Sequence, residues 1–218
     1  MPHLWVFFWA VLKYDIFQFF YNQGLLFKEG LAYWLELPTL RLLGKKIIAY
    51  AYGSDVRTED VTRSLGKYHF YLDYSHKEVL DEQGPDSKIK RRVRHVLKYA
   101  NVALSGYDMI EYTPGSKNDV FYWAIDTKEW QPVYETNNEK VVVLHATNHT
   151  KYKGTRFLVE TIERLKREGY PIEYIFVEKL SNKKAREIYK KADIIADQFI
   201  GGSHGFLQLK EWLSESRL

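Results

Sequence analysis

Between residues 141 and 197, short β-rich runs alternate with amphipathic helical runs, and this alternation restricts the fold more than any other feature of the chain. VVVLHA at Val141–Ala146 is an apolar strand run. Residues 154–168 then repeat apolar side chains at helical spacing and stop at Gly169. Residues 174–177 form a second strand run, Ser181 is placed to cap a helix ending near Lys191, and IIAD at 194–197 is a third strand. Strands and helices at this spacing build parallel βαβ units with right-handed crossovers. The expected class is α/β.

The first half is less regular but of the same kind. IFQFF at 16–20 and IIAYA at 47–51 read as strands, with a partly helical stretch at 35–43 between them. KIKRRVRHVLKYA at 88–100 places Ile89, Val93, Val96, Leu97 and Ala100 on one face of a helix with a basic back, and residues 101–105 and 119–125 are the next strand runs. Pro132 and the polar run ETNNEK at 135–140 make a linker, so the expected division is residues 1–134 and 135–218. A chain of 218 residues with 45% apolar and 28% charged side chains can bury a real core.

Composition excludes some chemistry. With no cysteine, disulfides, zinc–thiolate sites and thiol nucleophiles are ruled out, and a reducing cytoplasmic location is compatible with that. The net charge of +4 suits anionic substrates or a membrane surface without selecting either. LWVFFWAVL at 4–12 is apolar, but Lys13 and Asp15 end it well short of the ~20 residues of a membrane span. It also lacks the basic start and small-residue cleavage site of a signal peptide. A buried or surface-docked helix is expected, with Trp5, Phe7, Phe8 and Trp9 available for peripheral contact with lipid headgroups.

In a parallel sheet, ligands bind beyond the carboxyl ends of the strands, where loops enter helices. The turn after Val141–Ala146 holds Lys151, Lys153 and Gly154 just there, and a helix start offers free N–H groups and partial positive charge. A diphosphate-sized anion fits this chemistry. The ordinary alternative is a pair of solvated lysines. Glu178 and Asp197 end the next two strands, where a carboxylate commonly holds a ribose hydroxyl. Gly202 and Gly205 lie in a Gly-rich turn of the kind that meets phosphate. Neither a G-x-G-x-x-G nor a P-loop motif is present. Asp55, in AYGSDVR after the second strand, reads as a cap or a substrate contact. His145 and His149 share no helix face and carry no paired carboxylate, so no metal site is expected. The basic helix reads as a solvated face, and no nucleic-acid partner is expected.

In order along the chain, these segments resemble a GT-B glycosyltransferase of the large retaining, family 4 type. YDIFQFF at 14–20 is similar to the family's YDVFHFHF strand, and LLGKKIIAYAYGSDVR at 42–57 to its LGKKIV…HGSDVR segment. ANVALSG at 100–106, AIDTKEWQPV at 124–133, HATNHTKYKGT at 145–155 and ADIIADQ at 192–198 match its later motifs. The resemblance implies two Rossmann-like halves, each incomplete, that bind a nucleotide-sugar with its diphosphate at Lys153 and Gly154. Lys151, Gly202 and Gly205 would be nearby, Glu178 would lie on the nucleoside side, and Asp55 would be the catalytic or acceptor-side candidate. The implied reaction is transfer of the sugar to a glycan or lipid-linked acceptor, as in polysaccharide biosynthesis. It needs no cofactor or metal, because cations and the helix dipole hold the departing diphosphate.

Three departures stand out. Tyr52 replaces the family's usual His before Gly53, Thr150 stands where a basic residue is usual, and GFLQLKEWLSESRL at 205–218 replaces the acidic E-x7-E helix. One permitted coding of residues 207–218, read with its first two bases dropped, translates as A-I-E-G-M-A-L-G-K-P-V, which is the family motif. The expectation is a frameshift near Leu207 and weak or absent turnover, with non-catalytic binding of nucleotide or a partner protein as the alternative. Resequencing the gene from Gly201 onward tests it.

Overall fold

The computed structural model describes residues 2–26, 30–118 and 139–200. Residue contacts divide the chain into two compact units, Met1–Leu65 with Ser75–Phe121, and Gly66–Tyr74 with Tyr122–Leu218. Each contains a parallel sheet, so the class is mixed α/β. The boundary expected at 134–135 and the strand expected at 119–125 lie outside the described residues.

The first unit runs α1 (Pro2–Lys13), β1 (Ile16–Phe20), α2 (Leu31–Leu42), β2 (Lys46–Tyr50), α3 (Glu59–Ser64), α4 (His76–Gln83), α5 (Asp86–Tyr99), β3 (Val102–Ser105), a 3-10 turn (Tyr107–Tyr112) and β4 (Lys117–Asn118). Its strands lie in chain order, β1-β2-β3-β4, all parallel. Successive right-handed crossovers in one direction put their helices on one face, and α2 and α5 touch each other there. On β1 the side chains alternate: Phe17 and Phe19 are buried, while Ile16, Gln18 and Phe20 face outward. The buried pair sits in register with Ile47 and Ala49 of β2. Leu37 and Leu40 of α2, Ile89, Val93 and Val96 of α5, and Phe7, Ala10 and Val11 of α1 complete this core. In α5 those apolar positions are spaced i, i+4, i+7, and its cations occupy the other face. Helix α4 begins in a full capping box of Ser75 and Glu78 that the sequence reading passed over.

The second unit runs β5 (Val141–Ala146), α6 (Thr150–Lys153), α7 (Thr155–Arg167), β6 (Ile172–Val177), α8 (Asn182–Tyr189) and β7 (Ile194–Ala196). Its order is β6-β5-β7, all parallel, with β5 in the middle. Central position explains the unbroken burial of Val142, Val143, Leu144 and His145, because a parallel strand flanked on both sides is covered on both faces. Val143 packs against Leu158 and Ile162 of α7. The β6–β7 connection passes over β5 in the opposite direction from β5–β6, so the crossover rule puts α8 on the face away from α7. Gly169, with φ 91°, ends the α7 region in the left-handed conformation a stop requires. Segment 66–74 belongs to this unit through rings: Phe70, Tyr71 and Tyr74 surround Tyr152, with centroids 5.3–5.9 Å away. Asp73 adds a two-oxygen pair with Arg156 at 2.8 and 2.9 Å.

Candidate functional site

In the second unit the carboxyl ends of all three strands are laced together. The β5 loop reaches the β6 loop through Asn148, whose Oδ1 accepts from Lys179 N at 2.8 Å. Lys179 sits at φ 55°, a left-handed conformation that costs a non-glycine residue energy and is held there by that bond. The β7 loop closes on the same turn, with Phe199 N donating to Lys153 O at 3.0 Å.

Lys153 lies at the centre. Its Nζ donates to Asp197 Oδ1 at 2.5 Å and to Gln198 Oε1 at 3.2 Å. An ammonium has three donors, so among the described residues one is left over, on a side chain that keeps 22% of its surface exposed. Asp197, expected as a ribose contact, is buried and serves as the counter-ion of this lysine. Lys151 is exposed, with its ammonium 5.0 Å over the Tyr74 ring. Gly154 is buried at φ 67°, and a Cβ there would come within 3.1 Å of Ile200 Cγ2. The glycine therefore serves close packing as well as backbone freedom where α6 ends and α7 begins. Glu178 is exposed and lies 3.8 Å from Lys179 Nζ. Lys151, Lys153 and Gly154 are thus on one turn, with Glu178 on the loop that Asn148 ties to it. Gly202 and Gly205 lie outside the described residues.

His145 holds the base of this turn. It is fully buried on β5, with Nδ1 2.7 Å from Ala196 O and Nε2 2.7 Å from Thr155 Oγ1. A carbonyl only accepts, so Nδ1 carries the proton and Nε2 accepts from the Thr155 hydroxyl. Burial pushes the imidazole below the usual histidine range, and the nearby Lys153 adds to that, against the opposing pull of the Ala196 carbonyl. A neutral histidine therefore pins the first residue of α7 to the end of β7. In the sequence, His145 raises only the question of a metal ligand. Its burial was legible in the strand pattern, but its partners on α7 and β7 were not. Among the described residues no group of three or more His, Asp or Glu is placed to hold a metal ion.

In the first unit the loops beyond β1 and β2 are tied by buried carboxylates. Asp55 has no exposed surface, and its oxygens accept from Tyr21 N at 3.2 Å, Tyr52 N at 3.1 Å and Gly53 N at 2.9 Å. Burial raises its carboxyl above the ordinary aspartate range despite these bonds. Asp55 is therefore placed to position the two loops rather than to meet a ligand itself. Glu36 of α2, also buried, accepts from Leu25 N at 2.7 Å and Leu26 N at 3.1 Å. What the loops present outward is the Tyr52 phenol, which accepts from Asn22 Nδ2 at 2.9 Å and packs edge-on against Phe20. Arg57 donates two bonds to Asp108, from Nε at 3.0 Å and Nη2 at 2.7 Å. Gly53, at φ 130°, leaves room for that guanidinium. Tyr107, at φ 54°, is a second strained residue off a strand end.

No protein-family model, curated protein or solved structure matches the chain.

Proposed function

We propose that the chain is a glycosyltransferase-type protein of the GT-B plan. It takes a nucleotide-sugar donor by its diphosphate at the Lys151–Gly154 turn and transfers the sugar to a glycan or lipid-linked acceptor. The observation that carries this reading is the Lys153 ammonium. It is partly buried at the carboxyl edge of a parallel sheet, beside the start of a 13-residue helix, with a donor to spare. A cation desolvated in this way stabilises charge gathering on a leaving diphosphate more strongly than one in bulk water. Gly154 supports the reading only indirectly, by letting the chain turn from α6 into α7 beside Lys153, and the exposed Glu178 by offering an acceptor for nucleoside hydroxyls. The residues named for the donor are Lys151, Lys153, Gly154 and Glu178, with Asp55 shaping the loops on the acceptor side.

A second reading, nucleotide binding without turnover, is favoured by the Lys153–Asp197 pair, because an incoming diphosphate has to compete with a carboxylate already in place. Calorimetric titration with uridine, guanosine, adenosine and thymidine diphosphates tests both readings. At least one should bind, and Lys153→Gln should weaken it about tenfold, the loss of one charge-assisted contact. Release of free nucleoside diphosphate from the matching sugar donor then separates transfer from binding alone. Failure of every nucleotide to bind, or equal binding by Lys153→Gln, overturns the proposal.

A further inference from the structure

Helix α1 is apolar on both of its sides. At 100° per residue, Leu4, Trp5, Phe8, Trp9 and Leu12 fall within an arc of about 140°, and all five are exposed, Trp5 at 77% and Leu12 at 88%. Phe7, Ala10 and Val11 fall on the opposite arc and are buried in the core of the first unit. The helix is therefore anchored by one stripe and presents a second, wider stripe outward. The outward stripe continues onto the start of β1: Trp9 packs edge-on against Tyr14 at 5.6 Å, and Ile16 is exposed beyond it. Among the described residues β1 is the edge strand of its sheet, and a groove of about 420 Å³ lies between it and α1, lined by Val6, Trp9, Tyr14, Ile16 and Phe20 among others.

We propose that this surface docks onto an anionic lipid bilayer, with α1 lying in the plane of the interface. Five observations select that occupant. Two tryptophans and a tyrosine lie among the aliphatic groups, the side chains that settle at headgroup depth with an apolar body and a polar edge. The helix contains no acid, and Lys13 at its end sits 4.9 Å over the Trp9 ring, so a cation rims the patch. The nearest acid in sequence, Asp15, is paired with Lys45 at 3.0 Å. A second copy of this surface would bring no complementary charge, whereas anionic headgroups do. Twelve residues of helix span about 18 Å, against about 30 Å of hydrocarbon, and among the described residues no helix is long and apolar enough to cross a membrane. The helix can lie in the interface but not traverse it. The net charge of +4 acts in the same direction. This inference is independent of the nucleotide reading and uses none of its residues.

Vesicle flotation of the full chain tests it. Vesicles of phosphatidylcholine with phosphatidylglycerol should carry the protein, vesicles of phosphatidylcholine alone should carry less, and added salt should release it. Trp5→Glu combined with Leu12→Glu alters only outward side chains, so circular dichroism and the urea midpoint should stay at the unsubstituted values while partition falls at least about tenfold. Lys13→Gln should narrow the difference between the two vesicle types. Absence of flotation on anionic vesicles overturns the proposal, as does equal flotation by the double variant. So does a concentration-dependent dimer that the double variant abolishes while vesicles are ignored, which would assign the surface to a second copy.

Discussion

Among the described residues, Asp55 is the carboxylate that accepts from both loops above the first sheet, and replacing it by alanine removes that tie. Three backbone donors, the buried Tyr21 N and Gly53 N and the part-buried Tyr52 N, lose their acceptor together. A hydrogen bond to a charged group contributes about 1.5–3 kcal/mol, and part of that is returned when a buried charge no longer has to be desolvated. The expected loss is therefore about 3–5 kcal/mol, a large share of a typical domain's stability. Asp55→Asn keeps the shape but has one amide oxygen. That oxygen can serve Tyr52 N and Gly53 N together, which turns the –NH₂ toward the Tyr21 N–H, donor against donor. Its cost should be about 2–3 kcal/mol. The pH dependence has a definite sign. A carboxyl raised in the folded state contributes stability that is present below its unfolded value of about 4 and lost as pH climbs through the folded value. Asparagine does not titrate, so the stability gap between wild type and Asp55→Asn should be widest at and below about pH 4 and shrink as the pH rises through the folded value. Urea unfolding gives the energies, and amide exchange at Tyr21, Tyr52 and Gly53 gives the location. An Asp55→Ala protein within about 1 kcal/mol of wild type, with those three amides still protected, would refute the assignment of Asp55 as the tie between the loops.

Other consequences follow from the same geometry. His145 should act with the opposite pH sign: a histidine held below its usual range contributes stability that is present above its unfolded value of about 6.5 and lost as pH falls through the folded value. Exchange protection of β5 and the start of α7 should therefore weaken on acidification, and His145→Leu should abolish that sensitivity at a cost of about 2–4 kcal/mol. Glu36→Gln should release the 25–26 loop, read as faster exchange at Leu25 and Leu26 with β2 unaffected, since its oxygens accept from those two amides. Arg57→Lys should cost about 1–2 kcal/mol in thermal unfolding, because lysine cannot make the two-pronged contact with Asp108. Gly154→Ala combines a left-handed φ with crowding against Ile200, and should lower the stability of the second unit by about 1–2 kcal/mol.

What could be read in advance divides along a physical line. The strands at 16–20 and 141–146 and the stop at Gly169 were legible, as were 174–177 of the 172–177 strand and 88–99 of the 86–99 helix, because periodicity and turn chemistry are local properties. Helix α2 was only partly legible: Pro38 interrupts its hydrogen-bond ladder, and tertiary packing of Leu37 and Leu40 overrides the penalty. The ties at the strand ends were not legible. Asp55 meets Tyr21 across 34 positions, Lys153 meets Asp197 across 44, and His145 meets Ala196 across 51. A lone aspartate after a strand reads the same whether its partner is a substrate or the backbone of another loop.

That difference changes the chemistry assigned to each residue. In the sequence, Asp55 and Lys153 look alike, each a charged group on a loop beyond a strand. In the fold, the Asp55 carboxylate is enclosed and its acceptor capacity is taken up by three amides, so its contribution to any reaction must pass through the loops it holds. The Lys153 ammonium has a counter-ion as well, yet it keeps exposed surface and an unspent donor among the described residues. A ligand gains from an ion-paired lysine only the difference between its own contact and the one it displaces or shares. Tight diphosphate binding at this turn thus requires Lys153 to bridge ligand and Asp197 rather than exchange one for the other. Asp197→Asn separates the two routes. Under exchange, removing the competitor tightens nucleotide binding. Under bridging, losing the anion that orients the ammonium weakens it.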